Sequence, residues 1–242
     1  VNGLHISLSF NLLFFLLAIL FIARKGGISY LRMKISLLSS SRDRPRIQVA
    51  NLVYYLQRVS QFQLLPISNS DIIFLGDSIT DEGEWAELLG NPHVKNRGIS
   101  GDTTMGILHR LEDIVAFQPA KIFIMIGINN LIHYQQSAAE IFTNYKKIVI
   151  KIRDRSPNTE IFIQSILPIH HPKSGLKIND CDRVQLNSCL QELATEYSLT
   201  YIDLFSQLSD ANYQLDERYT LDGVHLNGQA YLIWKQVIEK YI

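Results

Sequence analysis

Ile72-Ile73-Phe74-Leu75-Gly76-Asp77-Ser78-Ile79-Thr80 joins an apolar, β-branched and aromatic run to an abrupt stop. Such a run reads as a buried strand. Gly76-Asp77-Ser78 then halts it with a small residue and turn formers. Ser78 therefore falls at the carboxyl end of a strand, the edge at which open α/β sheets build their sites. A lone serine in a turn is ordinarily a turn or helix-cap residue. Any chemical role for Ser78 depends on partners elsewhere in the chain.

Outward from this strand the pattern alternates. Upstream, Leu52, Tyr55, Leu56, Val59 and Phe62 recur at helical spacing, which predicts a helix over 49–62 packed on the main domain. Downstream, helices are expected over 82–90, 104–117, 137–155, 180–197 and 229–241. Strands are expected over 94–98, 121–126, 160–166 and 200–204, in addition to 71–76. The run from Lys121 to Ile126 is almost wholly apolar, as a strand buried on both faces requires. Strands alternating with helices imply right-handed crossovers and a parallel sheet covered on both sides, an α/β fold.

The N-terminus reads differently. Residues 4–23 end in an unbroken apolar block from Leu12 to Ala23, then stop at Arg24-Lys25. Twenty residues of helix span roughly the 30 Å of a bilayer's hydrocarbon core. The segment is terminal and apolar on all faces, which argues against a buried core helix. Two readings stand: a membrane anchor, or a signal segment removed on export. A signal needs a basic start and a small-residue cleavage site, and neither is evident. As an anchor, the segment would place residue 24 onward on the cytoplasmic side by the positive-inside tendency. Residues 24–47 are basic and serine-rich and read as a linker. The expected organisation is thus an apolar segment over 1–23, a linker over 24–47 and one sizeable domain over 48–242.

Charge follows the same division. The 242 residues carry 23 basic and 23 acidic side chains, for a formal net charge of +0. Residues 1–46 hold seven of the basic residues and only Asp43 among the acids, which leaves the remainder with a net charge of −6. Such a body is a poor nucleic-acid binder, while the basic excess lies where a membrane surface would use it. The two cysteines, Cys181 and Cys189, fall in one expected helix, about 12 Å apart along its axis, and read as free thiols. No Cys/His grouping has a zinc spacing.

Four stretches gather at strand ends or loops. They are Gly76-Asp77-Ser78, Asn96-Arg97-Gly98-Ile99-Ser100-Gly101-Asp102-Thr103, Gly127-Ile128-Asn129-Asn130 and Asp222-Gly223-Val224-His225. Nucleophilic catalysis at a serine needs a base, an orienter for it, and donors for the oxyanion. Ser78 supplies a nucleophile and His225 a base. Asp222, three residues earlier, can hold the other ring nitrogen of His225. The N–H groups of Ser78 and Gly101 and the amide of Asn129 supply oxyanion donors. The remaining residues have plainer roles: Asp77 shapes the turn, Asp102 or Thr103 caps the next helix, Gly98 and Gly127 are backbone necessities, and Asn130 is structural. His170 and His171 follow the fourth strand and read as solvent-exposed loop residues rather than substrate contacts. His133 and Tyr134 either line an acyl pocket or begin the next helix.

In this order the four stretches resemble the SGNH hydrolases, the GDSL esterase/lipase family. Its Ser, Gly, Asn and His fall on Ser78, Gly101, Asn129 and His225, and its Asp on Asp222. Gly-Asp-Ser-Ile-Thr, Gly-Ile-Ser-Gly-Asp-Thr and Asp-Gly-Val-His-Leu-Asn also look like the family, over residues from about 70 to 242. One departure is Asn130, where many members carry Asp; a Gly-x-Asn-Asn version is similar to the platelet-activating-factor acetylhydrolase branch. The resemblance implies a flavodoxin-like three-layer α/β/α domain with a five-stranded parallel sheet. It implies hydrolysis of a small-molecule or lipid ester through an acyl-serine, without metal or organic cofactor. Lysophospholipids, thioesters, short-chain esters and O-acetylated sugars all occur as family substrates. A binding module on the same fold would need a broken Ser–His–Asp set, and all three residues are present.

Overall fold

The computed structural model describes residues 49–176 and 178–242. The apolar segment expected over 4–23 and the linker expected over 24–47 lie outside the described residues. Five short strands carry the sheet: β1 (Ile72–Gly76), β2 (Val94–Gly98), β3 (Lys121–Met125), β4 (Glu160–Gln164) and β5 (Thr200–Ile202). All pair in parallel, in the order β2-β1-β3-β4-β5. This is the doubly wound order whose switch point lies between β1 and β3. Crevices form there because the helices after the two strands leave toward opposite faces.

The helices sort into two layers. Helices α1 (Leu52–Phe62), α2 (Ser78–Asp81) and α3 (Trp85–Leu89) bracket β1, and α4 (Thr104–Arg110) and α5 (Glu112–Val115) follow β2. Next come α6 (Ile128–Tyr134), α7 (Ala138–Arg155), α8 (His171–Ser174), α9 (Asp180–Glu196), α10 (Phe205–Leu208) and α11 (Gly228–Ile238). Helices α4, α7 and α9 pack side by side, and α3 packs on α11.

Register explains the core. Phe74, Phe123 and Phe162 are direct partners across β1, β3 and β4, and their rings stack at centroid distances of 4.9 and 4.3 Å. Trp85 of α3 continues the stack on Phe74 at 4.5 Å and meets Trp234 of α11 edge-on. Strand period two sends Ile73, Leu75, Ile122 and Ile124 to the opposite face, all fully buried. There Tyr145 of α7 donates to the Ile124 carbonyl at 3.2 Å.

Several expected boundaries need correction. The helix expected over 82–90 covers only Trp85–Leu89, and a separate short helix, α2, precedes it from Ser78 itself. The helix expected over 104–117 breaks at Leu111 into α4 and α5. Residues 128–134, expected as a loop around Asn129, form α6, so His133 and Tyr134 end that helix rather than begin the next. His170 and His171 are half-buried, not solvent-exposed: His170 caps α8, and His171 Nε2 lies 2.8 Å from Asp180 Oδ2. Cys181 and Cys189 do share one helix, α9, as free thiols.

Candidate active site

Ser78 is the first residue of α2, immediately beyond β1. Asp77 caps that helix by accepting the Ile79 N–H at 3.1 Å. Beneath it, the Gly76 carbonyl receives the Ile99 N–H at 3.1 Å and Arg110 Nη2 at 3.2 Å. Tyr231 donates to the Ile79 carbonyl at 2.8 Å, and Trp85 Nε1 to the Thr80 carbonyl at 2.8 Å. Asn96, given no role by its sequence, donates to the carbonyls of Thr80, Asp81 and Gly83 at 2.9, 3.0 and 2.9 Å. Every exit of α2 is thus tied, and Ser78 stands on a fixed platform.

The last loop brings His225 to it across 147 residues of chain. His225 Nε2 lies 3.0 Å from Ser78 Oγ, and His225 Nδ1 lies 2.6 Å from Asp222 Oδ2. A carboxylate only accepts, so Nδ1 carries the ring proton and Nε2 offers its lone pair to the serine hydroxyl. The other oxygen, Asp222 Oδ1, accepts the N–H groups of Val224 and His225 at 2.9 and 2.8 Å. Burial pulls the Asp222 carboxyl upward, but the His225 ring and these two N–H groups outweigh it and hold it at about 2. Asp222 therefore stays ionised wherever the imidazole is neutral. Gly223, at φ +87, lets the chain turn between them, and its carbonyl accepts the His170 N–H at 2.9 Å.

Two further predicted residues reach the same edge. Gly101 follows β2 at φ +78, a conformation that side chains disfavour. Asn129 lies on the first turn of α6 beyond β3, and its Nδ2 donates to the Asp102 carbonyl at 3.0 Å. One N–H of that amide is spent on the bond, and a second remains. Asn129 is thereby tied to the residue directly after Gly101. The plainer expectations also resolve. Thr103, not Asp102, caps α4, by accepting the Gly106 N–H at 3.2 Å. Asp102 instead pairs with buried Arg110 at 2.8 Å. Asn130 is structural, accepting the Thr104 N–H at 3.1 Å and donating to Gln136 at 2.6 Å.

Two neighbours went unread in the sequence. Asp81, three residues after Ser78, binds Tyr54, Arg58 and the Ser100 N–H. Glu82 places Oε1 3.9 Å from His225 Nε2, a second carboxylate beside the imidazole. Helical spacing could have put Asp81 beside Ser78, but nothing local links it to residues 54, 58 and 100.

A serine hydroxyl on a strand-to-helix turn, an oriented imidazole and a buried edge of donors define the class of serine ester hydrolases on a doubly wound sheet. The family model described as GDSL-like Lipase/Acylhydrolase matches residues 74–233, and the chain belongs to that family. It is an ester hydrolase. The human platelet-activating factor acetylhydrolase IB subunit alpha2 is 33% identical over 174 residues, covering 66% of this chain and 71% of that one. A solved structure from Streptococcus pneumonia, described as a platelet activating factor, is 26% identical. It covers 87% of this chain and 98% of its own, with a TM-score of 0.71. An acetylxylan esterase from Geobacillus stearothermophilus shares the fold at 20% identity and a TM-score of 0.57, covering 72% of this chain and 94% of its own.

Proposed function

We propose that Ser78, His225 and Asp222 hydrolyse a short-chain ester of a lipid-like alcohol. The observation that carries the reading is the unbroken line Ser78 Oγ, His225 Nε2, His225 Nδ1, Asp222 Oδ2 at 3.0 and 2.6 Å. Ser78 Oγ bonds to the acyl carbon while its proton passes to His225 Nε2. Negative charge moves to the carbonyl oxygen, where the N–H groups of Ser78 and Gly101 and the amide of Asn129 receive it. The tetrahedral adduct then expels the alcohol, which takes the proton from His225. Water, deprotonated by the same imidazole, releases the carboxylic acid and restores Ser78. No metal or organic cofactor enters these steps.

The short acyl group is supported by the relatives that carry the name acetylhydrolase. The lipid-like alcohol is supported by the same relatives and by the apolar block at residues 12–23, which suits work at a membrane. An ester panel from acetyl to palmitoyl, on the full chain, tests both parts. Acetyl esters are expected to turn over fastest. A palmitoyl optimum would move the reading to a lysophospholipase, and activity confined to acetylated sugars would move it to a carbohydrate O-acetylesterase. Ser78→Ala should abolish turnover and fluorophosphonate labelling with an unchanged melting temperature. Full labelling of that variant would refute the assignment of the nucleophile.

A further inference from the structure

We infer that the segment Ala50–Phe62 belongs to the oxyanion apparatus, with Tyr54, Arg58 and Asp81 as positioning residues for the Gly101 N–H. This rests on the acyl-serine reading above. The donor N–H sits in the peptide unit joining Ser100 to Gly101, so its direction is set by the peptide units on either side. The preceding unit is held by the Ser100 N–H, which donates to Asp81 Oδ2 at 3.2 Å. The following unit is held twice: the Gly101 carbonyl accepts the Ala50 N–H at 2.9 Å, and the Asp102 N–H donates to the Ile99 carbonyl at 3.0 Å. With both neighbours pinned, the donor peptide has little freedom to rotate.

The pin is itself held from α1. Tyr54 Oη donates to Asp81 Oδ2 at 2.6 Å, and Arg58 Nη2 to Asp81 Oδ1 at 2.8 Å. Tyr54 and Arg58 stand four residues apart, on one helix face. Asn51 caps the helix through the Tyr54 N–H at 3.1 Å, and Tyr55 Oη docks it on the Gly106 carbonyl at 2.6 Å. The Asp81 side chain is only 9% exposed, so its acceptors are shielded from competing water. Arg58 has a second effect. Its positive charge balances a carboxylate that would otherwise oppose negative charge growing nearby on the substrate oxygen. Space agrees with this arrangement: a Cβ on Gly101 would come within 2.9 Å of Ala50 Cβ. The short helix that presents Ser78 therefore also presents the carboxylate that aims the loop, and α1 locks the two together.

The test uses Tyr54→Phe and Asp81→Ala in the full chain, beside Ser78→Ala. Each is read for kcat and KM on an acetyl ester and for melting temperature. Each is also read for inhibition by a trifluoromethyl ketone, whose adduct with Ser78 places an oxyanion in the hole. Tyr54→Phe should lower kcat about fivefold and Asp81→Ala about fiftyfold, with KM within about twofold. The ketone's inhibition constant should rise in step with the loss of kcat/KM. A kcat/KM within about twofold of wild type in both variants overturns the inference, as does a loss with the ketone's affinity unchanged. If Asp81→Ala fails to fold, Tyr54→Phe, which loses one hydroxyl, decides alone. Wild-type turnover in Ser78→Ala would instead show that the acyl-serine reading had failed.

Discussion

At the scale of single residues, position in the fold separates chemically similar carboxylates. Asp222 is held ionised by His225 and two N–H groups, whereas Asp77 is buried at the start of α2. Burial, assisted by the charge of Asp102, pushes Asp77 up to about 7 against the opposing Ile79 N–H. The folded state thus holds this proton more tightly than the unfolded chain, whose carboxyl titrates near 3.8. The stability it contributes is complete below that value and is lost as pH rises toward about 7. Asp77→Asn keeps the cap and removes the titration. Its melting temperature relative to wild type should rise from pH 4 to pH 7; a difference that stays flat would show that Asp77 is not neutral in the fold. Asn129 makes the complementary prediction. Asn129→Ala should reduce kcat by about 10²–10³-fold with little change in KM, as loss of one oxyanion donor does. Steady-state kinetics giving an unchanged kcat would remove Asn129 from the hole.

Between elements, Arg110 is the tie on which the site's edge depends. It lies at the end of α4, yet it reaches Asp102 before that helix at 2.8 Å and the Gly76 carbonyl at the end of β1 at 3.2 Å. Both partners are buried. Removing one member of a buried pair leaves an uncompensated charge and costs about 3–5 kcal/mol. Arg110→Met should lose about that much in urea denaturation at neutral pH, and adding Asp102→Asn should restore part of it. Additive losses in the double variant would show that the two side chains do not act as a pair. The same tie shows what was legible in the chain. The strands could be read because each is a short apolar run bounded by turn formers, as in Ile72–Leu75 before Gly76. Three of the four blocks could be read because each follows a strand, and the fourth, Asp222–His225, because it precedes the closing helix. Helix α6 was hidden because Gly127-Ile128-Asn129-Asn130 has turn-like composition, and only tertiary bonds such as that from Thr104 N–H to Asn130 draw it into a helix. Asp81 was hidden for a similar reason: its partners at 54, 58 and 100 come together only when α1 docks.

Over the whole molecule, charge and hydropathy divide at one place. Residues 1–46 pair an apolar block with a net excess of basic residues, and the rest of the chain is acidic. Among the described residues no helix is long and apolar enough to cross a membrane, so the proposal of membrane association rests wholly on residues 4–23. That makes it separable from catalysis. Each arginine placed at the centre of an inserted helix costs about 3 kcal/mol on insertion scales, so Leu16→Arg together with Leu17→Arg should prevent insertion. The full chain should float with anionic lipid vesicles in a density gradient, while the double variant should stay below them. Both should hydrolyse a soluble acetyl ester at the same rate, because Ser78, His225 and Asp222 lie outside the altered segment. Salt separates the two ways a basic, apolar segment can hold a bilayer. Attraction to lipid headgroups is screened within about 3 Å at 1 M salt, but an inserted helix is not released by it. Flotation that survives 1 M salt and disappears in the double variant would establish the anchor; flotation that is unchanged in the double variant would exclude it.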